Sequence, residues 1–137
     1  MAPAKSSCLV ISEFNAANLA GYLNNDESGA DINARVAPMA AVMATLLDPQ
    51  ASVWREKPDF TIIWTQPQGV IESFAAVLRN DEIEPENLTA DVDRYADAIV
   101  DILDRTSQII IPTWTTPPWR RGLGLGDFGP RGIARAL

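Results

Sequence analysis

The run Cys8-Leu9-Val10-Ile11, closed by Ser12-Glu13-Phe14-Asn15, decides the fold. Consecutive apolar side chains with no polar alternate describe a strand covered on both faces, the pattern of a parallel sheet rather than of a half-solvated antiparallel one. Asn15 is a good N-cap. The helix it opens, from Ala16 to about Leu23, brings Leu19, Tyr22 and Leu23 to one face before Asn24-Asn25-Asp26 and Ser28-Gly29 break it. Residues 31–37 alternate apolar and polar with period two and read as an edge strand.

Downstream the pattern repeats. Met39 to Leu47 is rich in Ala, Met and Leu with no breaker before Asp48-Pro49 and predicts a helix, with Met1, Met39 and Met43 as core residues. Pro58-Asp59 launches Phe60-Thr61-Ile62-Ile63-Trp64, a β-branched and aromatic run that reads as the central strand, and Thr65-Gln66-Pro67 stops it. Val70, Ile71, Phe74, Val77 and Leu78 fall at helical spacing, and residues 80–87 form an acidic loop containing Pro85. Thr89 is placed to cap a long helix. Asp91 and Asp93 lie in its first turn, Val92, Tyr95, Ala96, Ile99, Ile102 and Leu103 form its apolar stripe, and Arg105 near its end suits the helix dipole. Ile109-Ile110-Ile111 reads as another buried strand, closed by Pro112. The segment 112–132, rich in Trp, Pro, Gly and Arg, exceeds an ordinary connection, and a loop of that length in a compact domain is usually either functional or wrongly assigned. Ile133, Ala134, Ala136 and Leu137 read as a helix that stops because the chain stops, which leads us to expect a continuation of the domain.

Strands alternating with helices predict an α/β fold. Right-handed crossovers then give a three-layer sandwich around a mostly parallel sheet, flavodoxin-like or SGNH-hydrolase-like, with strand order 2-1-3-4 and one domain over residues 1–137.

Composition narrows the function. With 137 residues, 47% hydrophobic and 21% charged, the chain can bury a core. Eighteen acids against eleven bases leave a net charge of −7, which argues against a nucleic-acid binder that works by phosphate neutralisation. The charge is uneven: 17 acids and 7 bases precede residue 119, whereas Asp127 and four arginines follow. One Cys and no His exclude an intramolecular disulfide, a multi-thiolate metal site and a self-contained Ser-His-Asp or Cys-His catalyst. No metal and no cofactor are expected. The apolar run at Cys8 is too short for a signal peptide or a membrane span, so we expect a cytoplasmic protein with reduced Cys8 as a small core residue.

Ligands of open α/β sheets sit outside the carboxyl ends of the strands. This places Ser12 to Asn15, Ala37-Pro38, Thr65-Gln66-Pro67 and Thr113 to Trp119 at the expected functional edge, where the four loops should converge.

Four segments carry a family resemblance: Ile11-Ser12-Glu13-Phe14-Asn15-Ala16-Ala17-Asn18-Leu19, Leu46-Leu47-Asp48-Pro49-Gln50-Ala51-Ser52-Val53-Trp54, Pro58-Asp59-Phe60-Thr61-Ile62-Ile63-Trp64-Thr65, and Pro112-Thr113-Trp114-Thr115-Thr116-Pro117-Pro118-Trp119-Arg120-Arg121-Gly122-Leu123-Gly124. In matching order over nearly the whole chain, they resemble the N-terminal region of FkbH-like proteins of the HAD superfamily (subfamily IIIC). The resemblance implies an SGNH-like domain that precedes a phosphatase-like HAD domain. It also implies a role in moving glyceryl or related acyl groups onto an acyl carrier protein, in polyketide or surface-polysaccharide biosynthesis. The expected partners are a carrier protein or the downstream HAD domain, together with self-association through residues 108–137, and neither nucleic acid nor membrane.

The departures from the family matter equally. An HAD phosphatase needs an Asp-x-Asp pair at a strand end. The single such pair, Asp91-Val92-Asp93, reads instead as first-turn acids of a helix, so the HAD catalytic domain is absent from these residues. An SGNH esterase would use Ser12 as nucleophile, but Thr65-Gln66 stands where its Asn is wanted and no His supplies the base. Ser12 and Asn15 read first as turn or cap formers and second as ligand-binding residues, with Ser12 a weak catalytic candidate. Two readings of Trp114, Trp119, Arg120 and Arg121 stay open: they grip a phosphate-bearing ligand together with Thr113, or they pack the long loop onto an acidic body. Gly122, Gly124, Gly126, Gly129 and Gly132 do not make a phosphate loop, because no Gly-Lys-Ser/Thr closes the run. The alternative functions are an interaction or oligomerisation module, and an SGNH-type esterase completed by another chain.

Overall fold

In a computed structural model of the protein, residues 5–115 are described. The fold is α/β. Strands β1 (Ser6–Ser12), β2 (Ile32–Val36), β3 (Phe60–Trp64) and β4 (Gln108–Ile110) form one sheet in the order β2-β1-β3-β4, all neighbours parallel. This is the predicted strand order. Among the described residues, helices α1 (Ala17–Asn25), α2 (Val42–Leu47), α3 (Pro67–Val70), α4 (Glu72–Leu78) and α5 (Pro85–Val100) connect the strands, with a 3₁₀ turn at Ser52–Trp54. The described residues up to Thr65, together with Ala98–Pro112, make one compact unit, and Gln66–Asp97 with residues 113–115 make another.

In the first unit β1 is buried on both faces, as its uninterrupted apolar run requires. Cys8 and Val10 pack with Ala16, Ala20 and Ala34, flanked by Leu19, Leu23, Ile32, Phe60 and Ile62, while Leu9 and Ile11, on the opposite side of the pleat, are equally sealed. The stripe that α1 presents is therefore 16, 19, 20 and 23. Tyr22 falls off it and is 78% exposed, contrary to its expected place on the apolar face. Asn15 does not cap α1 either: Ala16 holds that position, and the Asn15 Oδ1 accepts the Ala17 amide at 3.0 Å.

Several other expectations are corrected by local chemistry. The helix read from Met39 begins only at Val42, because Ala40 takes a left-handed φ of 61°, and Met39 is 62% exposed rather than in the core. The carboxyl end of α2 is closed by side chains from far along the chain. Trp54 Nε1 donates to the Thr45 carbonyl at 3.0 Å and Arg105 Nη1 to the Leu46 carbonyl at 2.9 Å, with the Arg105 guanidinium 5.7 Å from the Trp54 ring. Arg105 thus serves α2, not the end of the long helix. β4 is an edge strand with one neighbour, so Ile110 and Ile111 are 41% and 48% exposed instead of buried.

In the second unit the stretch 70–78 is two helices, because Ile71, its side chain sealed, adopts extended backbone between α3 and α4. α5 starts at Pro85, a residue pre-set for the first helical position, and not at Thr89. Thr89 lies inside it and donates back to the Pro85 carbonyl. Of the expected stripe, Tyr95 is buried, as is Leu88, and Ala96 is exposed; past Asp97 the chain belongs to the first unit, where Ala98 and Ile102 are buried and Leu103, beyond the helix end at Val100, is exposed.

Candidate functional site

β1 continues toward β2 on one side and has β3 on the other, so the winding of the sheet reverses between β1 and β3. At such a reversal the connections diverge and leave a crevice beyond the strand ends. Ser12 stands opposite Trp64 at this edge. Just beyond them lies a hollow of about 280 Å³ lined by Phe14, Asn15, Asn18, Leu19, Tyr22 and Trp64, with Ala16 at its base.

The hollow follows from local rules. The buried Ser12 hydroxyl oxygen accepts the Phe14 amide at 3.2 Å, a tight turn that carries Phe14 off the end of β1. Strand alternation seals Ile63 and turns Trp64 outward. The Phe14 ring meets the indole edge-on, centroids 5.1 Å apart and planes at 85°, a favoured aromatic geometry that holds Trp64 in place. Among the described residues no charged side chain lines the hollow. A wider, open groove of about 900 Å³ runs on along α1, sharing Asn18 and Tyr22 and reaching Asp26 and Glu27.

Of the residues singled out from sequence, Ser12, Asn15 and Thr65 lie at this edge of the first unit; Asn15 lines the hollow, and Ser12 and Thr65 are buried. Gln66, Thr113 and Trp114 belong to the second unit. Gln66 caps α3 and its amide oxygen accepts from Gln68 Nε2, Thr113 is exposed, and Trp114 stacks on Tyr95 with centroids 5.5 Å apart and planes at 19°. Trp119, Arg120 and Arg121 lie outside the described residues.

Asp91 and Asp93 sit within α5, not at a strand end. The Asp91 carboxylate accepts the Ser73 amide at 3.1 Å and pairs with Arg94 at 3.0 Å. Hydrogen bonding from Ser73, then the Arg94 charge, holds its carboxyl below the usual aspartate range against partial desolvation. Its structural task is to cap α4 from another helix. Burial pushes the Cys8 thiol up to about 11, which suits an inert core residue. Among the described residues no cluster of His, Cys, Asp or Glu is grouped to hold a metal, and no helix is long and apolar enough to cross a membrane.

No protein-family model matches the sequence. No match emerges among curated proteins or solved structures either. The resemblance to FkbH-like proteins therefore rests on the residues quoted for it.

Sequence reasoning placed Ser12 to Asn15, Phe14 included, at this edge but did not single out Asn18, Tyr22 and Trp64, which line the hollow with Phe14 and Asn15. The signal available was an aromatic residue at the carboxyl end of each of two adjacent parallel strands. It was hidden because a strand-terminal Trp reads equally well as core.

Proposed function

We propose that the chain is a non-catalytic, FkbH-like N-terminal domain that binds a carrier-protein-linked acyl group, glyceryl or related, at the crevice between β1 and β3. The observation that carries this reading is the hollow itself, beside the sheet's reversal point, walled by the Phe14–Trp64 pair, with Phe14 held by a turn that engages the Ser12 hydroxyl. A serine that is 1% exposed, accepts a backbone amide and has no histidine anywhere in the chain is poorly placed to attack an ester. The site then recognises an acyl group that another domain or chain transforms, and a cytoplasmic setting follows from that role.

Calorimetric titration with a carrier protein in its pantetheinylated and unmodified forms tests this. The modified form is expected to bind at least tenfold more tightly, about 1.4 kcal/mol, and a fluorophosphonate is expected to leave Ser12 unlabelled. Equal binding of the two forms, or Ser12-dependent labelling, contradicts it. The exposed Ile110 on edge strand β4 and Ile111 just beyond it favour a second reading, a self-association surface, which concentration-dependent sedimentation would reveal.

A further inference from the structure

Among the described residues the hollow has no feature of a phosphate site: no Lys or Arg of theirs lines it, and the groove that continues from it along α1 carries Asp26 and Glu27. A phosphate or carboxylate entering there would surrender its water without a cationic partner and approach acidic side chains. What the walls do offer is apolar ring surface from Phe14, Tyr22 and Trp64 and the side-chain amides of Asn15 and Asn18. The Asn15 Oδ1 is tied to the Ala17 amide, which orients that side chain and leaves its NH₂ to donate. The Asn18 amide, exposed on the same rim, makes no hydrogen bond among the described residues. The volume of about 280 Å³ is at the lower edge of the ~300–1,000 Å³ of ligand pockets. It suits a single short segment, not a whole nucleotide.

From these features, and resting on the reading of a carrier-linked ligand, we infer that the hollow takes the uncharged stretch of the pantetheine arm with its acyl end. Methylenes lie against Phe14, Tyr22 and Trp64, amide and hydroxyl groups meet Asn15 and Asn18, and the arm's phosphate stays outside in solvent.

The test is calorimetric titration of the whole chain with pantetheine, 4′-phosphopantetheine and inorganic phosphate, at low and high salt. Pantetheine and its phosphate ester are expected to differ by less than about fivefold, the ceiling for one exposed charge, and phosphate alone to give no saturable heat. Asn18→Asp, at an exposed position that leaves the fold intact, is expected to weaken pantetheine by roughly fivefold, the loss of one hydrogen bond. Trp64→Ala, checked for folding by circular dichroism, is expected to weaken it further. A phosphate ester that binds far more tightly than pantetheine and loses that advantage in salt overturns the inference, as does pantetheine binding indifferent to both substitutions. Pantetheine failing while the pantetheinylated carrier binds overturns the inference alone. Failure of the carrier overturns the reading beneath it.

Discussion

Asp91 shows how much one side chain can decide. Helix α4 follows Ile71, which has no side-chain acceptor for the orphan amides of a helix start, and Asp91 reaches from α5 to the Ser73 amide to supply one. Because its folded pKa is depressed, its contribution is fully present above the unfolded aspartate value of about 3.9 and is lost as pH falls through the lower folded value. Asp91→Asn is therefore expected to lower stability by about 1 kcal/mol at neutral pH, with the gap to wild type narrowing as the pH drops below about 4. Urea unfolding of both proteins across that range checks it; a gap independent of pH would mean that the carboxylate charge has no part in the cap.

Among the elements, α2 is short and depends on distant partners for its carboxyl end. Trp54 and Arg105 satisfy the Thr45 and Leu46 carbonyls and stack on each other, so the two contacts form one coupled unit. Arg105→Ala is expected to cost about 1.5–3 kcal/mol, the value of a charge-assisted hydrogen bond. Arg105→Lys should recover only part of it, since an ammonium cannot both stack and donate in that plane. Thermal unfolding of the two variants decides between this and a merely exposed arginine. The strands were legible in the sequence because β1, β3 and β4 are continuous apolar or β-branched runs and β2 alternates with period two, and their order agrees with right-handed crossovers. Helix limits were less so: the left-handed Ala40, the extended Ile71 and the role of Pro85 at a helix start are set by local backbone geometry that apolar spacing does not encode.

For the whole molecule, the proposed uncharged ligand agrees with a net charge of −7 and with an aromatic hollow that no charged side chain lines among the described residues. Sequence alone located this edge through Ser12, Asn15 and Thr65, since strand ends in a parallel sheet are predictable from topology. It did not distinguish Trp64 as a wall, because exposure at a strand end depends on neighbours that only the fold brings together. The central claim, that this edge binds an acyl arm, is tested most directly by backbone amide chemical shifts of the ¹⁵N-labelled chain titrated with a pantetheinylated carrier protein. The account predicts shifts concentrated at Phe14 to Tyr22 and at the Trp64 indole, absent with the unmodified carrier. Shifts confined to the β4 edge, or none at all, would contradict it.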